Sequence, residues 1–124
     1  MKDLTVLIVE DDIELHTLYG LYLRGESFKI LPAYNGHDAL RTLAECIPDV
    51  IILDMIMPDM DGAAFLKEMH GNPAWKNIPV IIASVNEKVP DHVMQLQNIY
   101  TVLRKPFSMD LLISNIREAA TKTR

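Results

Sequence analysis

Three short runs of β-branched residues and leucine constrain the fold of this chain most strongly. They are Leu4 to Val9, Val50 to Leu53 and Val80 to Ala83. None of them alternates regularly between apolar and polar residues, so each predicts a strand buried on both faces, as in a parallel sheet covered by helices. Two weaker runs, Phe28 to Leu31 and Tyr100 to Leu103, predict edge or partly exposed strands.

The segments between these runs have the spacing of helices. In the first segment Ile13, Leu18, Leu21 and Tyr22 can share one face, which we expect to pack on the sheet. Helices with short connections alternate with all five strands, and this order predicts a doubly wound α/β fold.

The ends of the later helices are predicted from capping residues. Asn35 and Ser108 are suited to N-caps, and Gly71 followed by Pro73 ends the third helix. The fourth helix, around Pro90 to Gln97, has the weakest pattern, although proline suits a first helical turn.

Right-handed crossovers with one reversal of winding favour a five-stranded parallel sheet of order 2-1-3-4-5, which is flavodoxin-like and has helices on both faces. We expect residues 1–124 to form a single domain, since 124 residues is a common domain size. Ligands of such sheets bind outside the carboxyl ends of the strands, where the winding reverses.

Composition excludes several classes of function. A net charge of −5 argues against direct nucleic-acid binding, which needs clustered lysine and arginine. No apolar run approaches the roughly 20 residues that span a bilayer, and the N-terminus lacks the architecture of a signal peptide. We therefore expect a soluble cytoplasmic protein without a membrane partner.

Acidic residues follow the two central strands. Strand 1 ends at Glu10-Asp11-Asp12 and strand 3 ends at Asp54, so the fold predicts that Asp11, Asp12 and Asp54 meet at one crevice. Two carboxylates about 4 Å apart repel by about 4 kcal/mol at an effective dielectric constant of 20, and Mg²⁺ would relieve that repulsion. The alternative for Asp12 is structural, because it could be the N-cap of the helix that begins at Ile13.

Two further polar residues are predicted at the same edge. Strand 4 ends at Ser84, whose hydroxyl can donate and accept hydrogen bonds. Strand 5 is followed by Lys105-Pro106. The fold directs this lysine toward the carboxylates, where it can neutralise them and pair with a phosphoryl oxygen.

These residues resemble the sequence motifs of response-regulator receiver domains, the chemotaxis-receiver-like domains of two-component systems. The matching pieces are Glu10-Asp11-Asp12, the run from Asp54 to Gly62 (Asp-Met-Ile-Met-Pro-Asp-Met-Asp-Gly), Ser84 and Lys105-Pro106-Phe107. The resemblance covers essentially the whole chain, with the pieces in the same order.

The resemblance implies a role for each position. Asp54 would be the phospho-acceptor, Ser84 would bind the phosphoryl group, and Lys105 would pair with its charge. The peptide between Lys105 and Pro106 is commonly cis in this family.

The resemblance also implies a metal site. Asp12, Asp54 and the backbone carbonyl of Ile56 would bind Mg²⁺ directly, and Asp11 would orient a metal-bound water. Mn²⁺ could substitute for Mg²⁺. The implied function is Mg²⁺-dependent transfer of a phosphoryl group to Asp54, which is signalling rather than turnover by an enzyme.

The implied partners are a sensor histidine kinase or histidine phosphotransfer protein, and a downstream protein or covalently attached output domain. Switching would act at the face formed by helix 4, strand 5 and helix 5.

The chain departs from the family pattern on this switching surface. Val102 stands where an aromatic residue is usual, and Val85 stands where a small residue is usual. The segment between Ser84 and Lys105 is slightly short and lacks the usual glycine. We expect weaker coupling than in typical receivers, with Tyr100, on the same face as Val102, as a possible substitute for the aromatic residue.

Other interpretations of the function fit the sequence less well. A pseudo-receiver, which would bind a partner without phosphorylation, usually loses some of the acidic or lysine positions, and here they are complete. A dehalogenase-type phosphatase needs Asp-x-Asp after strand 1, and a flavodoxin-like electron carrier needs a phosphate loop rich in serine and threonine at that place. His16, His37, His70 and His92 lack metal-ligand spacing.

Overall fold

The computed structural model of the protein describes residues 3–57, 60–85 and 89–122. Strands and helices alternate along the chain as predicted. The strands are β1 (Thr5–Val9), β2 (Lys29–Ala33), β3 (Val50–Asp54), β4 (Val80–Ser84) and β5 (Ile99–Arg104). The helices are α1 (Ile13–Arg24), α2 (Gly36–Glu45), α3 (Gly62–His70), α4 (Asp91–Met94) and α5 (Met109–Lys122).

The five strands form one parallel sheet of order β2-β1-β3-β4-β5. This confirms the predicted doubly wound topology, in which β1 and β3 are adjacent at the point where the winding reverses. Strands β3 and β4 are buried along their whole length, as their unbroken apolar runs predicted.

A hydrophobic core lies on each face of the sheet. On one face α2 and α3 contribute Leu43, Phe65 and Met69. On the other face α1 and α5 contribute Tyr19 and Ile116, among others. Among the described residues no helix is long and apolar enough to cross a membrane.

Several predicted helix ends are confirmed. The Asn35 side chain accepts a hydrogen bond from the Asp38 N–H at the start of α2, and Ser108 Oγ accepts one from the Leu111 N–H. Gly71 is the C-cap of α3. Helix α4 is a single turn after Pro90, in keeping with its weak sequence pattern.

The predicted face of α1 is wrong. Ile13, Leu18, Leu21 and Tyr22 are exposed, with Leu21 the most exposed at 73%. The face that packs on the sheet carries Tyr19 and Leu23 instead. Both faces of this helix have apolar residues at helical spacing, so periodicity alone could not select the buried one.

Candidate functional site

Carboxylates converge at the carboxyl ends of β1 and β3. Val9 and Leu53 are paired in the sheet, so the residues that follow them lie at one edge. One oxygen from each of Glu10, Asp11 and Asp54 lies within 4.8 Å of the others. The predicted convergence of the two strand ends is therefore present.

The structure corrects which of the three consecutive acids join Asp54. We predicted Asp11 and Asp12, whereas the cluster contains Glu10 and Asp11. Asp12 Oδ1 accepts hydrogen bonds from the N–H groups of Glu14 at 2.9 Å and Leu15 at 3.4 Å. Asp12 is thus the N-cap of α1, the structural alternative considered from the sequence.

Lys105 joins this cluster from the loop after β5. Its Nζ lies 2.8 Å from Glu10 Oε1 and 3.9 Å from Asp54 Oδ2. The other oxygen of Glu10 accepts a hydrogen bond from the Asp12 N–H at 3.2 Å. Glu10 and Asp54 are only 3% and 7% exposed, so the lysine offsets negative charge that water reaches poorly.

The pKa values of the three acids are shifted in different directions because their environments differ. Burial, reinforced by the charge of Glu10, raises the pKa of Asp54 to about 6, although Lys105 acts in the opposite direction. Burial also works to raise the pKa of Glu10, but the hydrogen bond and charge of Lys105 outweigh it, and that pKa is lowered. The pKa of Asp11, which is exposed, is raised by some loss of hydration and by the neighbouring Glu10.

Ser84 and Lys105 lie at the same edge, as predicted. Asp54 is paired with Ala83 in the sheet, so Ser84, one residue further along β4, lies at the carboxyl edge, where it is buried. The Lys105 N–H donates to the Ser84 carbonyl at 2.6 Å, which holds the ends of β4 and β5 together. The peptide between Lys105 and Pro106 is cis.

A tight loop follows Asp54. The Ile56 N–H donates to Asp54 Oδ1 at 3.3 Å, and the Gly62 N–H donates to the Met55 carbonyl at 3.0 Å. A Cβ on Gly62 would lie 2.8 Å from Met55 Cα, so this close approach requires glycine. Pro58 and Asp59 of the motif lie outside the described residues.

His16 contributes to the site in a way that the sequence did not indicate. Its Nε2 lies 2.6 Å from the Glu10 carbonyl oxygen and 3.1 Å from that of Ala33, and its ring packs on Tyr34 at 4.6 Å. A neutral ring with a proton on Nε2 donates to both carbonyls. It thereby links α1 to the ends of β1 and β2, a contact that no local spacing could reveal.

The predicted relation between Tyr100 and Val102 is wrong. A register shift between Val80 and Ile81 breaks the side-chain alternation of β5, so Val102 packs against the core on one face and Tyr100 against the core on the other. A hydrogen bond to Glu118 of α5 raises the pKa of Tyr100. Tyr100 therefore lies on the other side of β5 from the space beside Val102.

The site combines a buried carboxylate, a neighbouring acid pair, a hydroxyl and a lysine. Such an arrangement can hold a divalent cation between carboxylate oxygens and can pair an incoming anion with the ammonium group.

The chain matches the family model described as response regulator receiver domain over residues 6–117. It is 36% identical over 121 residues to the transcriptional regulatory protein ZraR of Salmonella typhimurium, covering 96% of this chain and 27% of that protein. The chain thus spans about a quarter of the length of this curated relative.

Solved structures share the fold. The signal receiver domain of a signal transduction histidine kinase from Syntrophus aciditrophicus is 29% identical, with a TM-score of 0.84 over 96% of this chain and 91% of that one. The receiver domain of the sensor histidine kinase PA1611 from Pseudomonas aeruginosa, determined with magnesium coordinated in its active-site cleft, is 22% identical. Its TM-score is 0.86 over 97% of this chain and 99% of that one.

Proposed function

This chain belongs to the response regulator receiver domain family, and from that membership we propose that Asp54 accepts a phosphoryl group in a two-component phosphorelay. The observation that carries the proposal is the position of Asp54. It is a buried carboxylate at the end of the central strand β3, beside an acid pair and 3.9 Å from a lysine ammonium group.

The proposed reaction is phosphoryl transfer from a phosphohistidine. An oxygen of Asp54 attacks the phosphorus, the phosphorus–nitrogen bond of the donor breaks, and the donor imidazole leaves with the electron pair of that bond. The product is an acyl phosphate on Asp54. The carboxylate must be ionised to attack. Its pKa of about 6 means that most Asp54 side chains are ionised at neutral pH.

The acidic cluster fits a hard divalent cation. Three carboxylates within 4.8 Å are the oxygen donors that Mg²⁺ prefers, and Mn²⁺ should substitute. A bound cation would offset negative charge between carboxylates and phosphoryl oxygens. Because Asp12 caps α1, we propose Asp11 and Asp54 as direct ligands, together with the backbone carbonyl of Ile56.

Lys105 and Ser84 would hold the phosphoryl group once it is formed. Lys105 pairs with Glu10 at 2.8 Å before transfer and would turn toward the added charge, since a dianionic phosphoryl group attracts an ammonium more strongly than one carboxylate does. Ser84, buried at the end of the neighbouring strand, would donate its hydroxyl hydrogen to a phosphoryl oxygen.

The partners follow from the proposed reaction. A sensor histidine kinase or a histidine phosphotransfer protein would donate the phosphoryl group, and a downstream protein or attached output domain would respond at the face of α4, β5 and α5. A pseudo-receiver would use this fold without phosphorylation. Against it stands the complete set of Asp11, Asp54 and Lys105 in one cluster.

Intact-mass measurement tests the proposal. Incubation with Mg²⁺ and acetyl phosphate should add one phosphoryl group to the wild type and none to Asp54→Asn. Asp61→Asn is the matched control, because Asp61 is an acid in the same motif that caps α3. Labelling of Asp54→Asn at the wild-type level contradicts the assignment, and a wild type that neither acetyl phosphate nor a kinase labels supports the pseudo-receiver.

A further inference from the structure

An apolar groove lies between α3 and α4 and shares no residue with the acidic site. It has a volume of about 390 Å³, within the range of protein binding pockets. Its wall is formed by apolar side chains of the two helices and the turn after α4, namely Ala63, Leu66, Val93 and Leu96. A second depression of about 400 Å³ adjoins it, since His70 and Leu96 line both.

Helix α4, on one side of the groove, is much shorter than α3 on the other side. Helix α4 has 4 residues and α3 has 9, which correspond to about 6 Å and about 14 Å of helix at 1.5 Å per residue. Ala63 and Ala64 on α3 are also too small to fill the space. Leu66 and Val93 are each 1% exposed, so the apolar surface that the groove leaves open to solvent belongs to Ala63, Ala64 and Leu96.

The titratable groups that line the two depressions are all basic, although the exposed acids Glu68 and Asp91 are adjacent in the chain. Lys67, His70 and His92 border the first depression, and Lys76 borders the second. Both lysines are exposed, and neither takes part in the ion pairs found among residues 3–57, 60–85 and 89–122. The whole chain carries a net charge of −5, so this basic rim stands out from its surroundings.

One side of the groove is held in place by two side-chain hydrogen bonds. His70 Nε2 lies 2.6 Å from Asn98 Oδ1, and Asn98 Nδ2 donates to the Ile78 carbonyl at 2.9 Å. These bonds tie the end of α3 to the segments that precede β4 and β5. A wall fixed in this way need not be ordered when a partner binds, which lowers the entropic cost of binding.

The lining favours a helical occupant. The residues around the groove belong to α3, α4 and the adjoining turns, and none belongs to a strand. An extended peptide would therefore find no sheet edge to pair with, and its backbone N–H and C=O groups would face apolar side chains. A helix satisfies its own backbone and can place apolar side chains in such a groove.

We propose that the groove between α3 and α4 binds an acidic amphipathic helix of a partner protein. Apolar side chains of that helix would pack on Ala63, Ala64 and Leu96, and its acidic side chains would face Lys67 and Lys76. The proposal goes beyond phosphorylation of Asp54 and does not depend on it, since none of the residues of the acidic site lines the groove.

The proposed helix-binding groove is tested by selecting peptides that bind the unphosphorylated protein from a displayed library of helical 14-residue peptides. The expected peptides carry apolar residues at i, i+3 or i+4 and i+7 with flanking Asp or Glu. Amide shifts on addition of a selected peptide should concentrate in residues 63–70 and 91–97. Charge reversal at the rim, Lys67→Glu, should weaken binding by about fivefold to tenfold, the effect of losing and reversing one exposed ion pair.

The matched control is Lys29→Glu, the same charge change at an exposed position of β2, which should alter binding less than twofold. Equal weakening by both variants would mean that only net charge matters and would overturn the proposal. It is likewise overturned if selection yields no peptide, if it yields basic or non-helical ones, or if the amide shifts map to another surface.

Discussion

Lys105 Nζ is 2.8 Å from Glu10 Oε1 and 3.9 Å from Asp54 Oδ2, so the lysine's closer ion pair is with the glutamate and not with the proposed phospho-acceptor. Glu10 therefore affects Asp54 in two ways. Its charge repels the aspartate directly, and its hydrogen bond holds the neutralising ammonium group away from Asp54.

Removing the charge of Glu10 should lower the pKa of Asp54. Burial and then Glu10 are the main causes that raise this pKa to about 6, so Glu10→Gln removes one of them and frees Lys105 to approach Asp54. A side-chain carbon NMR titration in the absence of divalent cations measures the change. Asp12→Asn serves as the control, because Asp12 is an acid outside the cluster. An unchanged pKa of Asp54 in Glu10→Gln would contradict the effect proposed for Glu10.

Asp54→Asn should stabilise the metal-free protein at neutral pH. The pKa of Asp54 is raised from 3.8 to about 6 in the folded state. Stability is therefore lost as pH rises from about 4 through 6, because the folded state resists ionisation. The amide removes this cost, for a gain of about 1–3 kcal/mol above pH 6. Urea unfolding at pH 7.5 and pH 3.5 measures this gain in the free energy of unfolding. An equal gain at both pH values would mean that the ionisation of Asp54 is not its cause.

Magnesium affinity should separate Asp11 from Asp12. Asp11→Asn removes a proposed ligand and should weaken Mg²⁺ binding at least tenfold, by about 1.4 kcal/mol. Asp12→Asn should change it much less, because Asn is also a good N-cap and keeps α1 intact. Isothermal titration calorimetry measures both affinities. A larger loss in Asp12→Asn would restore the ligand assignment made from the sequence.

Coupling to the face of α4, β5 and α5 should not involve Tyr100. Tyr100 packs on the opposite side of β5 from Val102, and Val102 is stiff and too small to act as a moving aromatic side chain. Amide shifts with and without beryllofluoride and Mg²⁺ should therefore be small in β5 and the same in Tyr100→Ala. Large shifts that Tyr100→Ala abolishes would show that Tyr100 is the switch.

Ser27 offers a test of backbone strain away from the site. Among residues 3–57, 60–85 and 89–122 it is the non-glycine residue with positive φ, at 67°, and it lies in the loop between α1 and β2. Glycine adopts this conformation without steric cost, so Ser27→Gly should stabilise the protein by up to about 1 kcal/mol. Ser27→Ala, which keeps the Cβ, should give no such gain. Thermal unfolding of the two variants side by side makes the comparison.

The amino-acid sequence by itself determined the sheet and the edge that carries the site. Strands buried on both faces must be apolar throughout, so β1, β3 and β4 were predicted from short uninterrupted runs. The order of elements and the handedness of crossovers then fixed which strands are neighbours. Asp54, Ser84 and Lys105 were located because each ends or follows a strand, and parallel strands end at one edge.

Only the tertiary structure decided where side chains point once the strands end. After Val9 the chain turns into α1, and the backbone of Asp12, at φ −82° and ψ 113°, aims its carboxylate at the helix N-terminus and leaves Glu10 for Lys105. Tertiary packing also decided that the predicted apolar face of α1 is exposed and that side-chain alternation is broken in β5. In each case two local arrangements satisfy the sequence pattern equally well, and packing against residues distant in the chain selects one.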